Sequence, residues 1–310
     1  MKRERKAFRL GVAVWKHRQY YLLLLPAMAF FIIFCYGPMY GVIIAFKEFN
    51  PLLGILKSPW CDPWYKNFTL AFESELFLRA LKNTLIISAM KLFLAFPLPI
   101  IFAVLIDELP GRKFKKSIQT VSYLPYFISW VIVAGILRNI LSTNGGALNT
   151  VIVALGGKAI NFFGSKTRFR WLIWFSYIWK SIGYSSVVYL AAISGIDQEQ
   201  YEAARIDGAN RFQLITHVTI PSILPVISIL LILNLGSVLS AGFDQIFNMY
   251  SPTVYETADI LDTYVYRVGL LNQQYSYSAA VGLFKNIIGL LLVLGSNLIV
   301  KHVDSDNALF

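Results

Sequence analysis

The stretch "YEAARIDGANRFQLITHVTIPSILP" (residues 201–225) lies between two long segments that are almost purely apolar. Its first part, "EAARIDGA", puts alanines, charged residues and a glycine into eight consecutive positions. The charged side chains near its start are Glu202, Arg205, Asp207 and Arg211. Such a segment is too polar to cross a bilayer core without partners, so we interpret it as lying at a membrane surface.

The composition indicates that this stretch belongs to a membrane protein. Of 310 residues, 56% are hydrophobic and only 15% are charged, whereas soluble domains have roughly a quarter charged residues. The net charge of +11 raises the alternative of nucleic-acid binding. However, seven of the 28 Lys and Arg residues lie within residues 2–18, directly before an apolar run, which is typical of an anchor on an anionic leaflet. We therefore expect a lipid bilayer as the environment and no nucleic acid as a partner.

Six apolar segments are long enough to cross a bilayer core, which needs ~20 residues. They are 20–45, 83–106, 117–141, 171–194, 222–243 and 278–300. Their apolar runs are continuous rather than alternating, so we predict helices and not barrel strands. The charge-free first segment is too long for the apolar part of a signal peptide. We predict an all-α integral membrane protein with a basic cytoplasmic arm (1–19) and one transmembrane domain (20–310).

The distribution of Lys and Arg predicts the orientation of the chain. If the N-terminus is cytoplasmic, the cytoplasmic segments carry fourteen Lys and Arg and the outer segments carry eight. In membrane proteins the cytoplasmic loops carry the excess of basic residues. We therefore predict that both termini and the stretch 201–225 face the cytoplasm. Arg168 and Arg170 lie on the outer side, against the rule.

The polar stretch predicts two short helices joined by a sharp turn. We call residues 197–225 the EAA loop, after its Glu-Ala-Ala triplet. Asp197 can cap the first helix, with Gln200 in capping-box position. Gly208 permits a left-handed turn at the end of that helix. The segment "NRFQLITHV" is predicted to form a second short helix, after which Pro221 starts the fifth span.

The middle of the EAA loop has the composition of a contact surface. Ala203 and Ala204 form a flat patch that another backbone can approach closely. Around this patch, polar contacts are available from Glu202, Arg205 and Asp207. We predict a docking surface; a solvated connector whose alanines are simply good helix formers is the alternative on shape alone.

The segment "EAARIDGANRFQLITHVTIP" closely resembles the EAA motif of permeases from binding-protein-dependent ABC importers. That motif has Glu-Ala-Ala, three residues, Gly, nine residues and Ile-x-Leu-Pro. Residues 202–204, Gly208 and Pro221 match it, while Val218 and Ile220 stand where the motif has Ile and Leu. Other stretches, including "NTLIISAMKLFLAFPLPIIFAVL" and "QTVSYLPYFISWVIVAGIL", are similar to the oligosaccharide and polysaccharide branch of that family.

The resemblance implies a type I ABC importer permease fold with a coupling helix between the fourth and fifth spans, seated in a cleft on a cytoplasmic ATPase. The residues implied in docking and turning are Glu202, Ala203, Ala204, Arg205, Asp207, Gly208 and Pro221. The implied partners are a second homologous permease, two cytoplasmic ABC ATPase subunits and an extracytoplasmic solute-binding protein.

We expect no catalytic site and no cofactor in this chain. The segment "GSKT" (164–167) lacks the Gly-x-x-x-x-Gly-Lys-[Ser/Thr] spacing of a nucleotide-binding loop. ATP and Mg²⁺ are therefore expected on the partner ATPases. The two cysteines and three histidines have no spacing typical of a disulfide framework or a metal site.

Four basic residues lie inside the predicted spans: Lys91, Arg138, Lys180 and Lys285. The predicted spans contain no Asp or Glu, which argues against a proton-coupled carrier and leaves Na⁺ coupling open. The bases either snorkel outward and cap loop carbonyls, or they line a path that favours acidic saccharides such as uronate-bearing oligosaccharides.

Sugars also stack on aromatic faces, and Trp179 and Tyr184 lie deep in the fourth span. With the cations, they give a predicted substrate path of Lys91, Trp179, Lys180, Tyr184 and Lys285.

Two further features belong to the predicted outer side. Trp171 and Trp174 fit an interfacial aromatic belt. The polar segment 244–270 is either a structured lip that meets an extracellular binding protein or, as the default, a solvated loop.

Together these observations predict the permease subunit of an ATP-driven importer for oligosaccharides or polysaccharide fragments. A permease for another solute class and a secondary carrier or channel without an ATPase are the alternatives. A membrane enzyme is disfavoured, because no cluster of acids, His or Cys lies in the spans.

Overall fold

The computed structural model describes residues 16–303, and every regular element in that range is helical. The described residues contain no β-strand; extended chain pairs there in an isolated bridge between Lys47 and Trp60. The predicted all-α architecture is therefore confirmed. Most of the predicted basic arm, residues 1–15, lies outside the described residues.

The principal helices are labelled here in chain order. They are α1 (Arg18–Phe46), α2 (Glu75–Asp107), α3 (Arg112–Phe127), α4 (Trp130–Ile140), α5 (Lys166–Ser194), α6 (Gln198–Ile206), α7 (Arg211–Gly236), α8 (Phe243–Met249) and α9 (Tyr275–Val303). Shorter helices between them are Gly54–Lys57, Lys66–Glu73, Ala147–Ala154, Pro252–Val254, Tyr255–Ala258, Leu261–Val265 and Tyr266–Leu271.

Within residues 16–303, four helices are long and apolar enough to cross a membrane, namely α1, α2, α7 and α9. Helices α3 and α4 would together make a fifth span, although they meet at a bend of 99°. The predicted fourth span is α5, which has 29 residues but carries Lys, Ser and Tyr along its length. Helices long and apolar enough to span a membrane are therefore found at four of the six predicted positions, or five if the bent pair counts as one span, and the predicted count of six is not established.

Three of these helices widen shortly before a proline. The widened π turns are Phe31–Tyr36, Lys91–Ala95 and Ile215–Thr219, each ending two residues before Pro38, Pro97 or Pro221. A proline has no N–H to donate, and its ring clashes with the carbonyl four residues earlier, so a wider turn relieves the conflict. The helix continues through each site.

This widening changes the predicted boundaries of the fifth span. The predicted separate short helix and the restart at Pro221 are wrong, because α7 runs without a break from Arg211 to Gly236. It begins before the predicted position 222 and ends before the predicted position 243. The EAA loop is thus joined directly to a membrane helix.

The predicted third span is broken near its middle. Leu124–Phe127 tighten into a 3-10 turn at Pro125, and the side chain of Ser129 then caps α4. Before the break, α3 lies against α5 at Gly183, where a Cβ would lie 2.1 Å from the carbonyl oxygen of Ser122. Only glycine permits this contact between the two helices.

Two buried apolar clusters lie at opposite ends of α5. The cluster beside the EAA loop contains Ala103, Val104, Ile106, Tyr189, Leu190, Ile193, Ile196 and Ile223. The cluster at the remote end includes Ala134, Phe169, Ile173, Trp174, Ile246, Met249 and Ile260. Trp174 is buried here, so its predicted place in a lipid-facing aromatic belt is wrong, whereas Trp171 is half exposed.

The chain between α7 and α9 folds back into the helix bundle, and we call residues 237–271 the inserted segment. Its apolar side chains with no exposed surface are Ile246, Met249, Val254, Ala258, Ile260 and Leu261. Gln245, Asp259 and Thr263 are buried with them, at 1% exposure or less. The default expectation of a solvated loop at 244–270 is therefore wrong, because Gln245, Asp259 and Thr263 are buried and hydrogen-bonded inside the protein.

Candidate docking loop and central cavity

The EAA loop forms the predicted first helix with the predicted N-cap, but the capping box lies elsewhere. The Asp197 side chain accepts a hydrogen bond from the Glu199 N–H at 3.0 Å, which confirms it as the N-cap of α6. The capping box predicted for Asp197 and Gln200 instead joins Asn210 and Gln213. Their side chains each accept from the other residue's backbone N–H, at 3.0 and 2.8 Å.

The sharp turn after α6 occurs at Gly208, as predicted. Its backbone is left-handed, with φ of +84°. The Gly208 N–H donates to the Arg205 carbonyl at 3.1 Å, and the Ala209 N–H donates to the Ala204 carbonyl at 3.0 Å. These two bonds satisfy the last carbonyls of α6. A Cβ at position 208 would meet no atom within 4 Å, so it is the backbone conformation that favours glycine.

The EAA loop projects its side chains away from the bundle. Its exposed members include Glu202, Ala203, Arg205, Ile206, Asp207 and Phe212. Ile206 is 86% exposed and Phe212 is 73% exposed. Exposed apolar side chains beside charged ones are typical of a protein interaction site. The loop is tied to α7 by a 2.9 Å hydrogen bond between the hydroxyls of Tyr201 and Thr219, and Pro221 follows inside α7.

A cavity of about 470 Å³ lies between α2, α3, α5 and α7, and we call it the central cavity. Three members of the predicted substrate path line it: Lys91, Lys180 and Tyr184. Trp179 lines a different groove on α5, and Lys285 lines a hollow between α7 and α9. The structure therefore brings together three of the five predicted residues.

Lys91 and Lys180 each bind backbone carbonyl oxygens close to a junction between two helices. The Lys91 Nζ donates to the Ala241 carbonyl at 2.6 Å, just after α7. The Lys180 Nζ donates to the carbonyls of Tyr126 and Pro125 at 2.5 and 3.2 Å, at the break after α3. A cation is favourable at the last carbonyls of a helix, which is where Lys180 binds, whereas the Ala241 carbonyl bound by Lys91 lies in the non-helical chain between α7 and α8. The geometry therefore matches the capping interpretation, while both ammonium groups still face the central cavity.

The other two intramembrane cations hold the inserted segment. An Arg138 Nη2 donates to the Met249 carbonyl at 3.0 Å, at the end of α8. Lys285 forms an ion pair with Asp262. The predicted spans lack carboxylates, but the inserted segment supplies one to α9 in this way.

The central cavity also contains groups that sequence reasoning missed. One is Tyr126, whose ring stacks on that of the predicted Tyr184 with centroids 3.8 Å apart. The Ser88 hydroxyl is buried at the cavity wall and has no hydrogen-bond partner among the described residues. Ser88 precedes Lys91 by three residues, a spacing that puts both on one helix face and could have indicated it. Hydroxyls, stacked rings and ammonium groups together suit a polyhydroxylated, anionic ligand.

The chain matches the family model described as "Binding-protein-dependent transport system inner membrane component" over residues 95–307. It is 43% identical over 295 residues to Protein LplB of Bacillus subtilis (strain 168), covering 95% of this chain and 92% of the relative. It is 42% identical over 299 residues to the polygalacturonan/rhamnogalacturonan transport system permease protein YteP of the same organism, covering 96% and 92%.

Solved structures extend the similarity to the whole fold. A chain of a bacterial ABC transporter involved in the import of the acidic polysaccharide alginate superposes with a TM-score of 0.89 at 40% identity, covering 96% of this chain and 99% of that one. A chain of the alginate transporter in complex with its alginate pentasaccharide-bound periplasmic protein gives 0.87 at 39% identity, covering 95% and 98%. The chain therefore belongs to the family of binding-protein-dependent transport system inner membrane components, as an ABC importer permease with the type I fold.

Proposed function

We propose that this chain is the permease subunit of an ATP-driven importer for acidic oligosaccharides or polysaccharide fragments. The observation that carries the proposal is the EAA loop, which exposes Ile206 and Phe212 beside charged side chains and leads directly into a cavity-lining helix. The loop would dock on an ATPase, and the central cavity would hold the solute.

Helix α7 connects the two sites mechanically. It starts at Arg211, immediately after the turn at Gly208, and it lines the central cavity through Asn234. Because α7 is continuous, a displacement of the EAA loop moves the cavity wall as one body. ATP-driven closure of two ATPase subunits would thereby rock the permease between inward and outward openings, a rigid-body switch between two states.

The proposed assembly contains this chain, a second homologous permease, two ATPase subunits that bind ATP and Mg²⁺, and a solute-binding protein. Both termini and the EAA loop would face the cytoplasm, consistent with the excess of Lys and Arg on that side. The inserted segment would then lie on the outer side, where the solute-binding protein delivers the solute. The similar alginate transporter, which was solved in complex with its periplasmic protein, supports this arrangement.

The choice of an acidic saccharide rests on the central cavity. Lys91 and Lys180 contribute positive charge, the Tyr126–Tyr184 pair contributes flat aromatic surface, and Ser88 has an unused hydroxyl. Uronate-containing polymers would satisfy all three features. The names of the relatives, which include polygalacturonan and alginate, point to the same class.

Coupling is tested with two glycines of matched conformation. Gly208 and Gly54 both have positive φ, of 84° and 70°, and a Cβ at either meets no atom within 4 Å. Alanine in the left-handed region costs about 1 kcal/mol or more. In proteoliposomes with the ATPases and the binding protein, Gly208→Ala should reduce saccharide-stimulated ATP hydrolysis severalfold, whereas Gly54→Ala should not. Equal activity of the two variants, or uptake that persists without the ATPases, would contradict the proposal.

The solute class is tested separately with Lys91. Lys91→Met should reduce uptake of an acidic oligosaccharide more than that of a neutral one of equal length, because it removes a charge from the central cavity. Lys285→Met, which removes a charge paired with Asp262 outside the cavity, should affect both sugars equally. An equal loss of both sugars in Lys91→Met would exclude charge selection while leaving the docking proposal intact.

A further inference from the structure

The three cations at the start of α5 differ in what they contact. Lys166 forms an ion pair with Glu256, and the Arg170 Nε donates to the Thr257 carbonyl at 3.1 Å, so the inserted segment holds both. Arg168 is exposed, and its guanidinium forms no hydrogen bond or ion pair with any residue between 16 and 303. It is also one of the two outer arginines that run against the charge rule for membrane loops. This cation is therefore available to a ligand.

Arg168 stands at the rim of an apolar groove of about 410 Å³. The groove lies between α4, α5 and the helix Ala147–Ala154. Its walls include Leu137, Leu148, Phe162, Trp171, Phe175 and Trp179. Apart from Arg168, Ser176 and the indole N–H groups, the lining side chains carry no polar atom, so a molecule that fills the groove must be apolar along most of its length.

The groove has the length of one membrane leaflet. Arg168, Trp171, Phe175 and Trp179 recur at spacings of three or four residues, which places them on one face of α5. From Arg168 to Trp179 the helix rises roughly 16 Å at 1.5 Å per residue. Half of the ~30 Å hydrocarbon core of a bilayer is about 15 Å. A chain anchored at Arg168 would therefore end near the bilayer midplane at Trp179.

We propose that this groove binds one anionic phospholipid, with its phosphate on Arg168 and an acyl chain along Phe175 to Trp179. The planar guanidinium matches the phosphate in charge and geometry. The half-exposed Trp171 lies close to the headgroup level, where indole rings are favoured. The bound lipid fills the space between α4 and α5, beside the bend of the third span. This site is independent of the transported solute and of ATPase docking.

The test uses the intact transporter in nanodiscs of phosphatidylcholine with a minor fraction of phosphatidylglycerol that carries a diazirine at the end of one acyl chain. After irradiation, labelled peptides are mapped by mass spectrometry. We expect label between Phe175 and Trp179. Loss of one cation near a membrane surface should lower labelling about fivefold in Arg168→Gln, while Arg168→Lys retains most of it. Leu148→Trp should lower labelling by filling the groove.

Lys158→Gln is the matched control, because Lys158 is an exposed cation in the preceding loop that does not line the groove. Equal labelling of Arg168→Gln and Lys158→Gln would overturn the proposal, and so would capture of the second permease by a photocrosslinker at Phe175. If Arg168→Gln does not fold, the proposal is tested on the unaltered protein by letting unlabelled lipids compete with the photoreactive probe. Unlabelled phosphatidylglycerol should displace the probe better than phosphatidylcholine, and equal displacement would contradict an anionic-lipid site.

Discussion

Two polar regions flank α7, and the protein uses them in opposite ways. Before α7, residues 197–210 of the EAA loop expose their charged side chains, and the backbone turns at Gly208, where a Cβ would meet no atom within 4 Å. After α7, the inserted segment buries Gln245, Asp259 and Thr263, with Asp259 at 1% exposure. Both regions interrupt apolar sequence with charges and small residues. The difference is in their partners, because Glu256, Asp259 and Asp262 of the inserted segment form ion pairs within the chain, whereas Glu202, Arg205 and Asp207 of the EAA loop are exposed.

The comparison also explains the intramembrane cations. Lys91, Arg138 and Lys285 each contact the inserted segment or the chain leading into it. A buried charge without a partner is costly, so these cations and the polar groups of the inserted segment stabilise one another. The EAA loop has no comparable network among the described residues, which suits a surface that completes its contacts only in an assembly.

The largest difference between the regions is expected for two aspartates. Asp259 accepts hydrogen bonds from the Arg267 guanidinium at 3.1 and 2.5 Å. Asp259→Ala leaves Arg267 partly buried without its partner and should lower the free energy of unfolding by about 3 kcal/mol. Asp207→Ala, at an exposed position of the EAA loop, should change it by less than about 0.5 kcal/mol. Thermal unfolding in detergent measures the stability of both variants. Equal losses of stability would contradict the view that only the inserted segment uses its charges to hold the fold.

Double-mutant cycles compare a charged pair that involves the inserted segment with a charged pair in the EAA loop. Lys285 and Asp262 form an ion pair in which both side chains are mostly buried. The variants Lys285→Met and Asp262→Asn should therefore couple by roughly 1–3 kcal/mol, because the second substitution relieves the charge stranded by the first. The exposed Glu202 and Arg205, each changed to Ala, should be additive within about 0.5 kcal/mol. Additivity of the first pair would show that it does not hold the inserted segment.

A smaller effect is expected from two left-handed glycines. Gly242 has φ of +101°, and a Cβ there would lie 2.9 Å from the Lys91 Nζ. Gly208 has φ of +84° and open surroundings. Alanine adds backbone strain of about 1–2 kcal/mol at either position, but only Gly242→Ala also displaces Lys91. Its melting temperature should therefore be the lower of the two. A lower value for Gly208→Ala would mean that the EAA loop contributes more to the fold than its exposure suggests.

The smallest effect is expected where the inserted segment reaches the surface. The hydrogen bond and charge of Lys166 hold the pKa of Glu256 below its usual value. The stabilising contribution is present above the unfolded pKa of about 4.3 and is lost as pH falls through the lower folded pKa. Both side chains are exposed, so Glu256→Gln should lower the melting temperature only slightly at neutral pH and not at all at strongly acidic pH. A loss as large as that of Asp259→Ala would contradict burial as the deciding factor.

The sequence predicted those elements whose cause is local. Continuous apolar runs predicted helices, the cap at Asp197 followed from residue type, and the turn after α6 followed from Gly208. The EAA motif was sufficient to indicate the family. Of the five residues of the predicted substrate path, Lys91, Lys180 and Tyr184 line one cavity, and their contact with a substrate stays a prediction.

Other features depend on contacts between distant residues, which one sequence does not reveal. The burial of the segment after α7 requires Lys91, Arg138 and Lys285 as partners, and each lies in another helix. The polarity of residues 244–270 by itself predicted a solvent-exposed loop. Trp179 was separated from the cavity by the helical rotation of α5, and the widened turn before Pro221 removed a break that proline normally causes.

The central claim is that the EAA loop docks on a separate ATPase. It is tested most directly by placing a photocrosslinking amino acid at the exposed Ala203, with Leu155, exposed at the opposite end of the molecule, as the control position. In a purified complex that hydrolyses ATP, we predict that position 203 captures an ATPase subunit and that position 155 does not. Capture of no ATPase from position 203 in such an active complex would contradict the account.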